Sequence, residues 1–198
     1  MVIQLPLERI VSIKGLAYSL ASWNDSFYRG DEGEIATLGE QIAIIEWACS
    51  NQSNPDAKYI ANMFNTHAFA GDTSIRYAKR KIFVSDNPLT INPSEYRDSQ
   101  GVRVLDYPLD NNPLTPDQIR KNKLLVGLTG DEESPEKLAQ ILQPTGREAI
   151  IWIPTYHERP PIRVPFISLG TKGLVINCLE KRPPKRARCL VRLCQSVS

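Results

Sequence analysis

No run of this chain approaches the ~18 consecutive apolar residues that a membrane-crossing helix needs, so no such helix and no membrane partner is expected. The first residues, MVIQLPLERI, lack a basic segment followed by a long apolar one, so no secretory leader is expected either. Cysteine is scarce: four in 198 residues, at positions 49, 178, 189 and 194, without a repeating framework. That excludes a disulfide scaffold and predicts reduced thiols in a cytoplasmic protein. Only two histidines, His67 and His157, accompany them, and no Cys-x-x-Cys is present, so no metal site is expected. Closely spaced glycines followed by a lysine are also missing, which leaves no phosphate loop and no cofactor to expect. Internal repeats and low-complexity tracts are absent.

What is present is an ordinary globular composition, 41% hydrophobic and 23% charged. The length predicts a single domain, 1–198. Fifteen prolines predict short elements and many loops. The net charge of +2 conceals an asymmetry. Residues 1–146 carry 14 basic and 19 acidic side chains, a balance of −5. Residues 147–198 carry 10 basic and 3 acidic, a balance of +7. The chain therefore subdivides by charge into an acidic part, 1–146, and a basic part, 147–198, and the basic part calls for a polyanion or an acidic protein surface.

Local signals predict an α+β fold with a helical acidic N-terminal region, a central βαβ-like unit and a basic β-rich C-terminal part. Thr37 and Glu40 form a capping-box pattern ahead of a helix over 38–50 whose Leu38, Ile42, Ile45 and Cys49 share one face. Asn54-Pro55-Asp56 starts a second helix, with Ile60 and Phe64 inward and Ala57 and Ala61 allowing close approach. A loop is expected over 66–74, strands over 82–85 and 102–105, and a short helical turn after Thr115-Pro116-Asp117-Gln118. Residues 124–153 read as strand, acidic loop, helix, strand. The run Leu124-Leu125-Val126 is short and glycine-bounded, Ser134-Pro135-Glu136 opens a helix, and 149–153 is apolar. Trp152 is expected in the core. Strands are expected over 163–169, 174–179 and 188–193, with hairpin character at Gly170-Thr171-Lys172-Gly173.

Few residues carry a chemical signal. Asp131, Glu132 and Glu133 read as a solvated acidic turn, and Cys178 as a buried thiol in an apolar strand. His67-Ala68-Phe69, followed by Arg76 and Arg80, resembles the motif of the Fic family of nucleotidyl-transferring enzymes. The resemblance implies His67 as a base for a target hydroxyl and the arginines as phosphate ligands, but the family's Gly-Asn-Gly anion hole is missing here. Phe27-Tyr28-Arg29-Gly30 resembles the first motif of ADP-ribosyltransferases, whose Ser-Thr-Ser strand is reduced here to Asp72-Thr73-Ser74.

The densest signal is Lys181-Arg182-Pro183-Pro184-Lys185-Arg186-Ala187-Arg188, where five of eight residues are cationic and two prolines disfavour a helix. With Arg163 and Lys172, the cations Lys181, Arg182, Lys185, Arg186 and Arg188 form the candidate contact set for a nucleic-acid phosphate backbone. The expectation is a non-enzymatic nucleic-acid-binding subunit of a larger intracellular assembly with protein partners. The alternatives are a small nucleotide-dependent transferase using residues 67–80 and a protein-interaction module for an acidic partner.

Overall fold

Side-chain caps fix where the helices begin. The structure, a computed structural model, describes residues 10–13, 16–22, 33–78, 81–86, 101–106, 112–152, 162–170, 173–178 and 187–193. Helix α1 (Leu38–Ser50) starts at Thr37, whose Oγ1 accepts the Glu40 N–H while the Glu40 carboxylate accepts the Thr37 N–H. Asn54 Oδ1 accepts the N–H groups of Asp56 and Ala57 and opens α2 (Pro55–Phe64). Thr115 and Gln118 form a second capping box at α3 (Pro116–Arg120). On α1 the expected face is buried through Leu38, Ile42 and Ile45, while Cys49 is exposed; on α2, Ala57, Ile60, Ala61 and Phe64 are all buried.

Residues 124–126 are not a strand. They lie inside α4 (Lys123–Thr129), where Asn122 Oδ1 accepts the Leu125 N–H at 2.9 Å and Gly130 closes the helix in the left-handed conformation at φ 68°. Leu125, Leu128 and Thr129 make a buried i, i+3, i+4 stripe that outweighs the short apolar run. The helix expected after the acidic turn is present as α5 (Ser134–Leu142), followed by a 3-10 turn (Gln143–Thr145). The central unit is therefore helix, turn, helix and strand rather than βαβ.

Two sheets carry the strands. The larger follows the order β1 (Ile10–Ile13), β2 (Leu16–Ser22), β12 (Arg188–Leu193), β4 (Phe69–Ala70), β10 (Phe166–Gly170), β11 (Gly173–Asn177), β8 (Glu148–Trp152), with β3 (Gly33–Ile35) also paired to β12. It interleaves strands from both sides of residue 146. The smaller sheet is antiparallel, in the order β7 (Val102–Asp106), β6 (Lys81–Asp86), β5 (Thr73–Ala78), β9 (Ile162–Arg163). The N-terminal part is accordingly mixed rather than helical, since β1 to β7 fall within it. The expected hairpin is present, with β10 and β11 antiparallel and Gly170 opposite Gly173. The strand β8 is parallel to β11.

Alternation along the strands gives the larger sheet two buried faces. One joins the helices in the main core: Leu20, Phe69, Ile167, Leu174, Ile176, Ile151 and Leu190 pack with Leu38, Ile42, Ile45, Ile60 and Leu138. The other holds a smaller cluster, Ala21, Ile35, Ala68, Ala70, Phe166, Ala187, Cys189 and Val191, to which no described helix contributes. Among the described residues no helix is long and apolar enough to cross a membrane. The readings at 2–7, 23–32, 79–80, 87–100, 153–161, 171–172, 179–186 and 194–198 fall outside the described residues.

Candidate functional site

Two strands pass from one sheet into the other at a single corner. β4 continues into β5, and beside it β9 continues into β10. Ala70 pairs with Phe166, and Ile75 pairs with Arg163. Between those pairs, four residues, 71–74, oppose two, Val164 and Pro165. A surplus on one strand bends the ribbon, and Pro165 has no N–H to keep the ladder going. The loop expected over 66–74 is thus mostly strand and corner, with Asp72, Thr73 and Ser74 buried.

The polar groups at this corner are held by α1 and by the smaller sheet. β3 runs antiparallel and β4 parallel to β12, so their carboxyl ends meet on its flank. Gln41, fully buried in the first turns of α1, donates through Nε2 to the carbonyls of both Ala36 and Ala70 and bridges those two ends. Its Oε1 has no hydrogen-bond partner among the described residues. Thr73 Oγ1 accepts the Leu38 N–H at 2.9 Å and donates to Asp86 Oδ1 at 2.7 Å. Asp86 Oδ2 takes Arg103 Nη1 at 2.6 Å, and Arg103 also donates to the carbonyls of Gly127 and Leu128, at 2.8 and 3.3 Å. Those two carbonyls are free ends of α4. This chain of bonds ties α1, both inner strands of the smaller sheet, β7 and α4 together. It braces the corner from α1 to α4.

The acidic turn closes on itself in the same way. Asp131 accepts the Glu133 N–H at 3.0 Å and the Ser134 hydroxyl at 2.8 Å, and Lys137 lies 3.4 Å from Asp131 and 2.8 Å from Glu133. The turn connects two helices rather than ending a strand. No group of acidic, histidine or cysteine side chains among the described residues has the makings of a metal site. Partial burial pushes the Asp131 carboxyl up, but the Glu133 N–H, the Ser134 hydroxyl and Lys137 together hold it below its ordinary value. A carboxyl depressed in the fold stabilises above its unfolded pKa, about 3.9, and that stability is lost as pH falls through the folded value. Asp131→Asn should therefore lower the melting temperature at neutral pH, by an amount worth no more than about 1 kcal/mol for so exposed a pair. The difference from the natural chain should vanish in acid. Equal melting temperatures at neutral pH would show that the turn is not held by this carboxylate.

Of the residues in the Fic-like and ADP-ribosyltransferase-like motifs, the structure describes His67, Phe69 and Arg76 of the first and residues 72–74 of the second. Phe69 packs edge-on against Phe64, with ring centroids 5.9 Å apart, deep in the core. His67 is half-buried and its Nδ1 shares a hydrogen bond with Thr66 Oγ1 at 2.7 Å. Arg76 lies on β5. Cys178 and Cys189 are buried, and the Cys189 thiol donates to the Ala21 carbonyl at 3.6 Å. Arg29, Arg80 and His157 lie outside the described residues.

The seven candidate cations divide three ways. Lys172, Lys181, Arg182, Lys185 and Arg186 lie outside the described residues. Arg163 is enclosed on β9, only 8% exposed. Arg188 is half-buried at the start of β12. What the fold does define is how the basic run is anchored. It leaves β11 at Cys178, whose N–H donates to Trp152 O at 2.9 Å, and returns at Ala187, with the Arg188 N–H on Ala68 O at 2.8 Å. Cys178 and Ala187 are both buried. β11 and β12 point the same way with β10 and β4 between them, so the run joins non-adjacent strands and is no hairpin.

Comparison with protein families, curated proteins and solved structures finds no match.

The expectation that Trp152 belongs to the core is corrected: it ends an edge strand of the larger sheet and is 39% exposed. The strand pattern held the clue, because Ala149 and Ile151 take the buried face and leave Trp152 on the other. Gln41 and Arg103 were not legible as brace residues, since each reaches partners distant in sequence.

Proposed function

We propose that this chain is a non-enzymatic nucleic-acid-binding subunit of a larger intracellular assembly, and that residues 181–188 grip a phosphate backbone. The observation that carries the reading is the density of cations in a stretch held at both ends by buried residues that flank β11 and β12, Cys178 and Ala187. Closely spaced cations on a chain with fixed ends lose little freedom when phosphates bind, and each phosphate neutralised releases a counterion. The charge balance supports the same surface. The −5 of residues 1–146 repels a polyanion, while the +7 of residues 147–198 attracts it. Arg163 drops out of the contact set because it is enclosed.

The test is an electrophoretic shift with the full chain and a variant carrying Gln at Lys181, Arg182, Lys185 and Arg186. Arg188 is left in place because it is half-buried. The natural chain should retard nucleic acid at low salt with little sequence preference, because such cations read phosphates rather than bases. The variant should melt like the natural chain and retard it weakly or not at all. Equal shifts by both proteins, or no shift at low salt by the natural chain, would overturn the reading.

A further inference from the structure

The inference starts from a single row of residues. On the face of the larger sheet turned away from the helices, laterally neighbouring residues follow one another across six strands. Ala21 lies beside Cys189, Cys189 beside Ala70 (one step on from the Arg188–Phe69 pair), Ala70 beside Phe166, Phe166 beside Asn177 and Asn177 beside Trp152. Paired residues in a ladder present side chains to the same face. The row is buried from Ala21 to Asn177, and exposure opens at its last member, Trp152. The same row ends where the basic run begins. Asn177 is the last residue of β11, Cys178 is bonded to Trp152 O, and Lys181 follows three residues later.

A large aromatic is therefore presented at the edge of a sheet, beside the point from which a closely spaced set of cations departs. Among the described residues the other exposed large apolar side chain, Val104, lies on the smaller sheet and is aliphatic. An accessible aromatic next to a track of cations is the arrangement that holds single-stranded nucleic acid, with bases stacking on the ring while phosphates meet the cations. In a duplex the base faces are already stacked on one another, and an indole at a sheet edge finds none to cover.

Resting on the nucleic-acid reading above, we infer that the ligand is single-stranded and that Trp152 is the side chain on which one of its bases stacks. The stacked base lies at the β8 edge, and the neighbouring phosphates meet the cations of the basic run.

The experiment is a set of fluorescence-anisotropy titrations at low salt, with labelled oligothymidylate, a duplex of equal length and a polyglutamate chain as probes. The proteins are the natural chain, Trp152→Ala, Trp152→Phe and the four-Gln variant. The natural chain should prefer the single strand. Trp152→Ala should weaken that binding about tenfold, the loss expected for one stacked base. Its duplex binding and the salt dependence of its binding should be unchanged, since no phosphate contact is removed. Trp152→Phe should keep most of the affinity, which separates stacking from any loss of fold. Trp152→Ala binding the single strand as well as the natural chain, while the four-Gln variant loses it, would overturn the stacking inference and leave the phosphate reading standing. A preference for duplex would overturn the single-strand assignment. Failure of both nucleic acids to bind, with polyglutamate retained, would overturn both readings in favour of an acidic protein partner.

Discussion

Ile45→Asp should abolish cooperative folding near physiological temperature. Ile45 is fully buried in the middle of α1, in the core shared by α2, α5 and the larger sheet. Removing it forfeits about 2 kcal/mol of burial, and the carboxylate either stays charged without a partner or takes up a proton at further expense. The combined loss of several kcal/mol is a large part of the roughly 5–15 kcal/mol that holds a typical domain together. Ala43→Asp is the control on the same helix, because Ala43 is only half-buried. It introduces the same carboxylate and loses more helix propensity than Ile45→Asp does, roughly 0.7 kcal/mol, without emptying a core position. Thermal unfolding followed by circular dichroism should show a collapse of the transition for Ile45→Asp and a much smaller shift for Ala43→Asp. An unchanged melting temperature for Ile45→Asp would mean that this helix face does not meet the core.

Gly173→Val should be the most damaging change in the β-rich part. Gly173 opens β11 at φ 142°, where L side chains rarely go, and a Cβ there would lie 2.2 Å from the Glu148 carbonyl oxygen. Backbone strain of about 1–3 kcal/mol and a comparable clash both fall on the parallel pairing of β8 with β11. That pairing is what sets Trp152 beside Asn177, so the substitution should also disturb the stacking residue. Gly146→Val separates the two contributions: Gly146 has φ 61°, but a Cβ there meets nothing within 4 Å. Denaturant unfolding should place Gly146→Val about 1 kcal/mol below the natural chain and Gly173→Val several kcal/mol below it. Equal losses at the two positions would show that the β8–β11 contact is looser than the structure gives.

Legibility followed the range of the interactions. The starts of α1, α2 and α3 could be read from Thr37 with Glu40, Asn54 with Pro55, and Thr115 with Gln118, because a cap is satisfied within three residues of itself. The strands at 82–85, 102–105, 149–153 and 188–193 were legible from short apolar runs between turn residues. The same signal misled at Leu124-Leu125-Val126: three residues cannot distinguish a period of 2 from one of 3.6, and the deciding caps, Asn122 and Gly130, lie outside them. The corner at residues 71–74 could not be read, since its bend depends on register with a partner some ninety positions away. Neither could the Gln41 and Arg103 braces. The basic run was plain in the sequence, while its link to Trp152 depends on the parallel pairing of β8 and β11.

The most direct test of the proposed grip on phosphates is the salt dependence of single-strand binding by the natural chain and by the four-Gln variant. If the four cations at 181, 182, 185 and 186 each meet a phosphate, log affinity should fall against log salt with a slope of about −3, at roughly −0.7 for each contact. The variant should bind more weakly at low salt, with a slope flatter by about that amount. A natural chain whose affinity does not change with salt, or a variant that keeps the full slope, would contradict the account.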